Sequence, residues 1–348
     1  MMKIKSIKIG DKTIGEGYDS YIIAEIGSNF NGRLSTAKKL IRLAKESGAD
    51  AAKFQSFLTE KLLSKKGFEK KLAFQSKWKK STWDIYKEAE LPRKWNKQLS
   101  EYAKKIGIHF FASPWDFDAV DILDELDIPA FKIGSGYITY HKILKYIASK
   151  KKPILLATGG SNLKEVTDAI NVIKSTGNNK IILMHSVMQY PSPIDEANLN
   201  AMVLLRNKFR MNVGYSDHSP GSLVVLGSIS LGAKVIEKHF TLNPKSIGPD
   251  HPHSLNPLSF KNMVTKIHFL EKAMGDGIKK SAKSERETII IQRRGVWTTK
   301  KILKGEKFTE ENIKALRPVV GISASKYDVL IGKSSKKNYK AFEPIINN

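Results

Sequence analysis

The chain has 348 residues, 41% of them hydrophobic and 27% charged, and no cysteine. That length holds one large domain and one small one with the make-up of a soluble globular protein, and it excludes disulfides, a thiolate nucleophile and zinc–thiolate sites. The formal net charge of +25 invites a nucleic-acid partner. The lysines, however, lie in scattered clusters such as Lys38-Lys39, Lys70-Lys71 and Lys150 to Lys152, with no nucleic-acid motif beside them. The charge therefore reads as solvated surface that draws in anionic substrates.

No apolar run reaches the length of a membrane span. Met1-Met2-Lys3-Ile4-Lys5 lacks the apolar stretch and cleavage signal of a leader. A cytoplasmic protein with no membrane partner is expected. Along the chain, short apolar runs alternate with amphipathic patterns. Strands are predicted at 21–26, 51–55, 109–112, 130–133, 153–157, 180–184, 212–215 and 234–238. Helical patterns cover 36–47, which ends at Gly48, and 93–106, which ends at Gly107, both natural left-handed stops. Others follow at 120–126, at 163–175 behind the capping pair Ser161-Asn162, at 220–231 and at 258–274. Strands alternating with helices in this way predict a (β/α)8 TIM barrel over residues 1–277. An open doubly wound sheet would carry a Gly-rich phosphate loop after its first strand, and Gly27-Ser28-Asn29-Phe30-Asn31-Gly32 does not have that pattern. The long connection 57–91, with Trp78 and Trp83, is expected to act at the active-site face, for example as a lid. A polar linker, 278–287, then leads to a small strand-and-loop domain over 288–348, with β-type runs at 288–292 and 295–299.

A parallel barrel gathers its strand C-termini at one mouth, where the chemistry sits. At or just past the predicted strand ends stand Glu25, Lys53, Gln55, Ser113, Lys132, Ser135, Thr158, His185, Ser186, Ser216, His218, Glu237 and His239. His218 and His239 each close an apolar run. Two imidazoles meeting at the mouth would hold a divalent metal; the alternative is two polar strand ends bonded to loop backbone. Lys53 and Lys132 lie inside apolar runs, where a lysine needs an anionic partner or loses its charge. With Ser113, Ser135 and Ser216 they make a site for a phosphate and a carboxylate, the alternative being lysines that snorkel from the strand ends. Glu25 is either a carboxylate that handles a reacting water or a structural partner of one lysine.

Several stretches carry a more specific signal by their order and spacing. They are Ala24-Glu25-Ile26-Gly27-Ser28-Asn29-Phe30-Asn31-Gly32, Gly48-Ala49-Asp50-Ala51-Ala52-Lys53-Phe54-Gln55, Phe131-Lys132-Ile133-Gly134-Ser135-Gly136, Tyr190-Pro191, Gly214-Tyr215-Ser216-Asp217-His218, Glu237-Lys238-His239-Phe240-Thr241 and Gly248-Pro249-Asp250-His251. Over nearly its full length the chain resembles the sialic acid synthase family, that is, N-acetylneuraminate synthase and its relatives. The tail, with Lys314-Ala315-Leu316-Arg317-Pro318 and Gly321-Ile322, resembles that family's antifreeze-like SAF domain. The resemblance implies condensation of phosphoenolpyruvate with an N-acetylated amino-hexose, such as N-acetylmannosamine, to a nine-carbon 2-keto acid and phosphate. It implies that His218 and His239 hold a divalent metal, typically Mn2+, and that Lys53, Ser113, Lys132, Ser135 and Ser216 hold phosphoenolpyruvate. Glu25 would be the catalytic carboxylate, and Gln55, Tyr190 and Asp250 would face the sugar. Arg317 would reach the sugar's N-acetyl group from the other subunit's tail, which implies a homodimer with swapped C-terminal domains.

Three positions depart from the family pattern. Ala157 stands where relatives have a phosphate-binding serine, with Thr158 beside it as a substitute hydroxyl. Met188 replaces a polar residue. Tyr137 stands where an acidic residue contacts sugar hydroxyls, which points to a less hydroxylated acceptor, a di-N-acetylated 6-deoxy hexose, and a legionaminic- or pseudaminic-type product. The rival readings are a 3-deoxy-keto acid synthase, a Schiff-base aldolase on the same barrel, and a carbohydrate-binding relative without catalysis.

Overall fold

The computed structural model describes residues 4–71, 75–76 and 78–346. Met1 to Lys3 of the leader reading, and residues 72–74 and 77 of the long connection, lie outside the described residues. The chain divides into two compact units, Met1–Gly275 and Asp276–Asn348.

The first unit opens with a hairpin, β1 (Ile7–Ile9) and β2 (Lys12–Ile14), that the sequence reading did not contain. Then come β3 (Tyr21–Gly27), α1 (Leu34–Glu46) and β4 (Ala51–Ser56). The long connection carries α2 (Thr59–Leu62) and α3 (Thr82–Ala89), the latter capped by Ser81, whose hydroxyl accepts the Asp84 N–H. The alternation continues through α4 (Trp95–Ile106), β5 (His109–Pro114), α5 (Phe117–Glu125), β6 (Phe131–Ile133) and α6 (His141–Ser149). It ends with β7 (Ile154–Ala157), α7 (Leu163–Ser175), β8 (Ile181–Ser186), α8 (Leu199–Phe209), β9 (Val213–Asp217), α9 (Leu223–Ser230), β10 (Val235–His239) and α10 (Pro257–Met274). Local signals explain the helix limits. Asn162 and Glu165 form a reciprocal capping box on α7, and Gly107 ends α4 at φ 73°. The helices α6 and α8 fill positions for which the sequence reading gave no bounds.

The eight strands form one parallel sheet in the order β5-β4-β3-β10-β9-β8-β7-β6. Its two ends, β5 and β6, lie against each other, so the sheet curls round into a nearly closed TIM barrel. Strand side chains alternate between two faces. Ile22, Ala24, Ala52, Phe54, Leu156, Leu183 and Ile236 point outward into the core shared with the helices. Tyr21, Ile23, Ala51, Phe111, Ala130, Leu155, Ile182, Met184 and Val235 point inward and fill the barrel interior. Ile9 and Ile14 of the hairpin join that inner cluster and plug the N-terminal end.

The second unit carries α11 (Arg286–Gln292), an antiparallel pair of β11 (Gly295–Thr298) and β12 (Ile313–Leu316), and α12 (Tyr327–Leu330). Val296, Ile302, Phe308, Ile313, Leu330, Tyr339 and Ile345 make its core. The β-type run expected at 288–292 is instead helical. Strand propensity is realised only against a partner strand, and β11 already pairs with β12. The Ala282 N–H bonded to the Glu285 carboxylate (2.6 Å) closes a turn just ahead, from which a helix can propagate.

Candidate active site

The inward parity of the barrel strands continues upward from the apolar layer, and there the residue types change. Ile23 is followed on the same face by Glu25, Ala51 by Lys53 and Gln55, Phe111 by Ser113, and Ala130 by Lys132. Met184 is likewise followed by Ser186, Gly214 by Ser216, and Val235 by Glu237 and His239. All of these line one cavity of about 290 Å3 at the strand C-termini, close to the lower limit for small-molecule pockets.

Its floor is a chain of alternating charges. Lys53 Nζ lies 2.7 Å from Glu25 Oε2 and 3.8 Å from Glu237 Oε2, and Lys132 Nζ lies 2.8 Å from Glu237 Oε1. Gln55 donates to the other oxygen of Glu25 (2.9 Å), Lys53 donates to Ser113 (3.2 Å) and Ser216 donates to Glu237 (3.0 Å). Glu25, Lys53, Lys132 and Glu237 are all buried. Burial pushes Glu25 above its ordinary pKa, and Lys53 only partly opposes this. Burial pushes Glu237 the same way, but the two ammonium groups outweigh it and the carboxyl falls to about 2. Burial also lowers Lys132, against the pull of Glu237. The two lysines thus each face a buried carboxylate, Lys53 that of Glu25 and Lys132 that of Glu237.

Beside the floor is a cluster of donors. The Ser135 and Ser186 hydroxyls are 3.1 Å apart, and the Gly159 N–H donates to Ser135 (3.0 Å). A Cβ on Gly159 would stand 2.7 Å from Ser186 Oγ, so only glycine lets this backbone approach. Ala157 leaves the wall open at this point. Thr158 is not in the lining, its hydroxyl pointing to the Met184 carbonyl (3.4 Å), whereas Ser186 lines the cavity. Tyr137 is turned away from the cavity, its hydroxyl donating to the Trp115 carbonyl (2.7 Å). Met188 does face the cavity. The long connection lays Trp78, Ile85 and Tyr86 along one side, against Phe57 and Trp115, which makes that wall apolar and aromatic.

Histidines also line this cavity. His218 and His239 rings are 5.5 Å apart, with Tyr190 packed 4.2 Å from His218. After β10 the chain turns back, and the Leu255 N–H bonds the His239 carbonyl (2.8 Å). That return brings Asp250 and His253 over His239. Asp250 Oδ2 accepts both the N–H and the hydroxyl of Ser28, each at 2.8 Å. It fits because Gly27, at φ 54°, has no Cβ, which would stand 2.4 Å from that oxygen. Burial lowers His218 to about 3 and holds His239 well below the ordinary imidazole range. Both rings stay neutral, with lone pairs to offer, and His239 Nδ1 is buried without a hydrogen-bond partner among the described residues. Neutral imidazoles with an orphaned nitrogen suit a divalent metal ion. Among the described residues, the donor atoms that lie mutually within 4.8 Å are those of His239, Asp250 and His253; His218 stands next to this group.

The sequence matches the NeuB family over residues 40–279 and the SAF domain over residues 293–346. The chain belongs to the NeuB family. It is 46% identical to the N,N'-diacetyllegionaminic acid synthase of Campylobacter jejuni, over 93% of this chain and 98% of that one. It is 34% identical to the pseudaminic acid synthase of the same species, over 92% and 93% of the two chains. The crystal structure of the N-acetylneuraminic acid synthetase of Leptospira borgpetersenii superimposes with a TM-score of 0.74 at 31% identity, covering 82% and 95% of the two chains. This NeuB-family chain is an enzyme of the sialic acid synthase type, a phosphoenolpyruvate-dependent transferase that forms a carbon–carbon bond.

In this NeuB-family barrel, Glu25, Lys53, Gln55, Ser113, Lys132, Ser135, Tyr190, Ser216, His218, His239 and Asp250 all line the one cavity. Arg317 lies in the second unit, exposed just after β12. His185 is not part of the cavity lining; its Nε2 contacts the Ala197 carbonyl (3.1 Å). Sequence reasoning gave no role to Glu237, although it stands at a predicted strand end, or to Ser186. It missed His253 altogether, because that residue reaches the mouth through a loop return that no periodicity reveals. Among the described residues, no helix is long and apolar enough to cross a membrane.

Proposed function

We propose that this chain condenses phosphoenolpyruvate with a di-N-acetylated 6-deoxy amino-hexose, giving a legionaminic-type nine-carbon 2-keto acid and phosphate. The observation that carries the reading is the buried Glu25–Lys53–Glu237–Lys132 row beside the histidines. It offers two cations and hydroxyl donors to a small multiply charged anion, next to a carboxylate of raised pKa. The choice of acceptor is supported by the identity to the legionaminic acid synthase and by the apolar, aromatic wall. That wall, with Tyr137 turned away and Met188 facing in, suits a methyl group better than a hydroxyl.

Lys53 and Lys132 exchange their carboxylate partners for the phosphate and carboxylate of phosphoenolpyruvate, assisted by Ser113, Ser135 and Ser216. Gln55, Tyr190 and Asp250 orient the sugar, with Arg317 of the partner subunit on its N-acetyl group in a homodimer. His218 and His239 would hold a divalent ion, Mn2+ by expectation, and when bound it would supply polarisation of the aldehyde oxygen. The enol carbon of phosphoenolpyruvate attacks the aldehyde carbon, the new C–C bond forms, and the aldehyde oxygen takes a proton. The cation left at C2 is stabilised by Glu25, which also takes a proton from the water that adds there. The C2–O bond to phosphate then breaks, releasing phosphate and the keto group.

A phosphate-release assay with phosphoenolpyruvate and each of N-acetylmannosamine, its 6-phosphate and di-N-acetylated 6-deoxy hexoses tests this. The highest kcat/KM is expected with a 6-deoxy acceptor. A preference for N-acetylmannosamine would return the acceptor to the sialic acid type, and no phosphate release with any acceptor would remove the synthase reading.

A further inference from the structure

His253 is a buried imidazole at the cavity that has no part in the chemistry proposed above. It lies in the turn Asp250-His251-Pro252-His253, where the two histidines are treated differently. His251 engages both ring nitrogens, Nδ1 with Thr241 (2.6 Å) and Nε2 with Asn31 (3.0 Å), and so holds the loop in place. His253 Nε2 is buried and has no hydrogen-bond partner among the described residues, as is true of His239 Nδ1. The two rings are 4.5 Å apart and cross at 73°, and Tyr190 packs on His253 at 5.1 Å. His253 is 8% exposed and His239 5%. Leaving buried ring nitrogens unsatisfied is costly, and a cation held between the two rings would remove that cost. Asp250 adds a carboxylate oxygen within 4.8 Å of a donor atom on each ring.

We propose that His253 is a direct ligand of the divalent ion, joining His239 and Asp250 in one donor cluster, with His218 beside it. The proposal rests on the metal-dependent reading above, changes its donor set, and moves Asp250 from the sugar to the ion. Two histidines alone make a weak, water-rich site that suits Mn2+. A third imidazole adds a borderline nitrogen donor and shifts preference towards Co2+ and Zn2+. The loop return after β10 would then serve to deliver this ligand, with His251 as its anchor.

The test uses the full-length protein, stripped with EDTA and titrated with Co2+ while its visible absorption is followed, with calorimetry for Mn2+ and Zn2+. In His253→Phe, Co2+ binding is expected to weaken at least about tenfold, the low end of what losing even a ligand's outer hydrogen-bond partner costs. The visible band should change in position and intensity, because a nitrogen donor has been lost. His253→Gln serves as a second variant of similar polarity should the phenylalanine disturb folding, which circular dichroism of the metal-free protein would register. If both variants bind Co2+ with the parent's affinity and spectrum while His239→Ala does not, the metal reading stands and the assignment of His253 is overturned. If the parent binds none of the three ions, the metal reading itself falls and the assignment with it.

Discussion

Asp217 and Lys238 form a fully buried ion pair at 2.5 Å, and each immediately precedes a candidate metal-binding histidine. Alternation along β9 and β10 turns these two outward as His218 and His239 turn towards the mouth. Lys238 also donates to the Ser219 carbonyl, and Asp217 accepts the Ser219 N–H at 2.9 Å, so the pair fixes the turn that carries His218. Burial lowers Lys238 from the ordinary lysine range, with Asp217 opposing.

Removing one partner of this pair strands the other charge in an apolar layer. Asp217→Asn and Lys238→Met are each expected to lower unfolding free energy by about 3–5 kcal/mol. The double variant, which buries no net charge, should recover part of that loss. Urea denaturation of the four proteins measures it. Losses below about 1 kcal/mol would mean that the pair is not the clamp between the two strands.

Lys132→Ala should act on one substrate far more than on the other. Charge-assisted contacts to phosphate or carboxylate are worth about 2–3 kcal/mol, so the apparent KM for phosphoenolpyruvate should rise roughly 30- to 150-fold. The KM for the amino sugar should change little. Steady-state kinetics with each substrate varied in turn checks this, and a rise confined to the sugar KM would move Lys132 out of the anion site.

The sequence carried the barrel because inward and outward positions alternate so regularly. Ala51, Lys53 and Gln55 already show an interior that turns from apolar to charged at the strand end. Lys53 and Lys132 stood out because a lysine inside an apolar run needs a partner, and Glu25 and Glu237 are the partners found. What stayed hidden depends on long-range chain return. Nothing local places His253 beside His239, or Ile9 and Ile14 beneath the barrel. The segment 288–292 misled because its isoleucines favour a strand only where a partner edge is free. Tyr137 stands where relatives have an acidic residue, and its hydroxyl donates to the Trp115 carbonyl instead of facing the cavity.

That contact gives a direct check on acceptor recognition. Tyr137→Phe removes one partly buried hydrogen bond, so stability should fall by about 1 kcal/mol. Because the hydroxyl does not reach the cavity, kcat/KM for the amino sugar should stay within about twofold. A tenfold or larger loss of sugar kcat/KM would show that Tyr137 swings inward when the sugar binds.

The activity should have a bell-shaped pH profile. Glu25 must be ionised to take a proton from water, and its pKa is raised, so activity is lost as pH falls through a value above the ordinary glutamate range. Lys132 must be charged to hold the anion, and its pKa is lowered, so activity is lost as pH rises through a value below the ordinary lysine range. In the residual activity of Glu25→Gln the acid limb should disappear while the alkaline limb remains. An unchanged acid limb in that variant would assign the limb to another group.

Arg317 is exposed at the end of β12, and a guanidinium offers several donors in a fixed fork, which suits an amide carbonyl. In the second unit Ile290 and Ile291 are 51% and 60% exposed, and the Val319 N–H bonds the Ile290 carbonyl, which joins this apolar helix to the segment following Arg317. A second copy packed on these side chains would remove them from water. A homodimer is therefore expected in which Arg317 of one protomer completes the partner subunit's sugar site. Arg317→Ala and Glu25→Ala should each be nearly inactive alone. Mixed after mild dissociation, they should recover up to about a quarter of the parent activity, because half of the randomly formed dimers pair the two variants and such a dimer has one intact composite site of two. Size-exclusion chromatography with differently tagged chains establishes that mixed dimers have formed. If they form and activity stays at the level of either variant, Arg317 acts within its own chain or takes no part in the reaction.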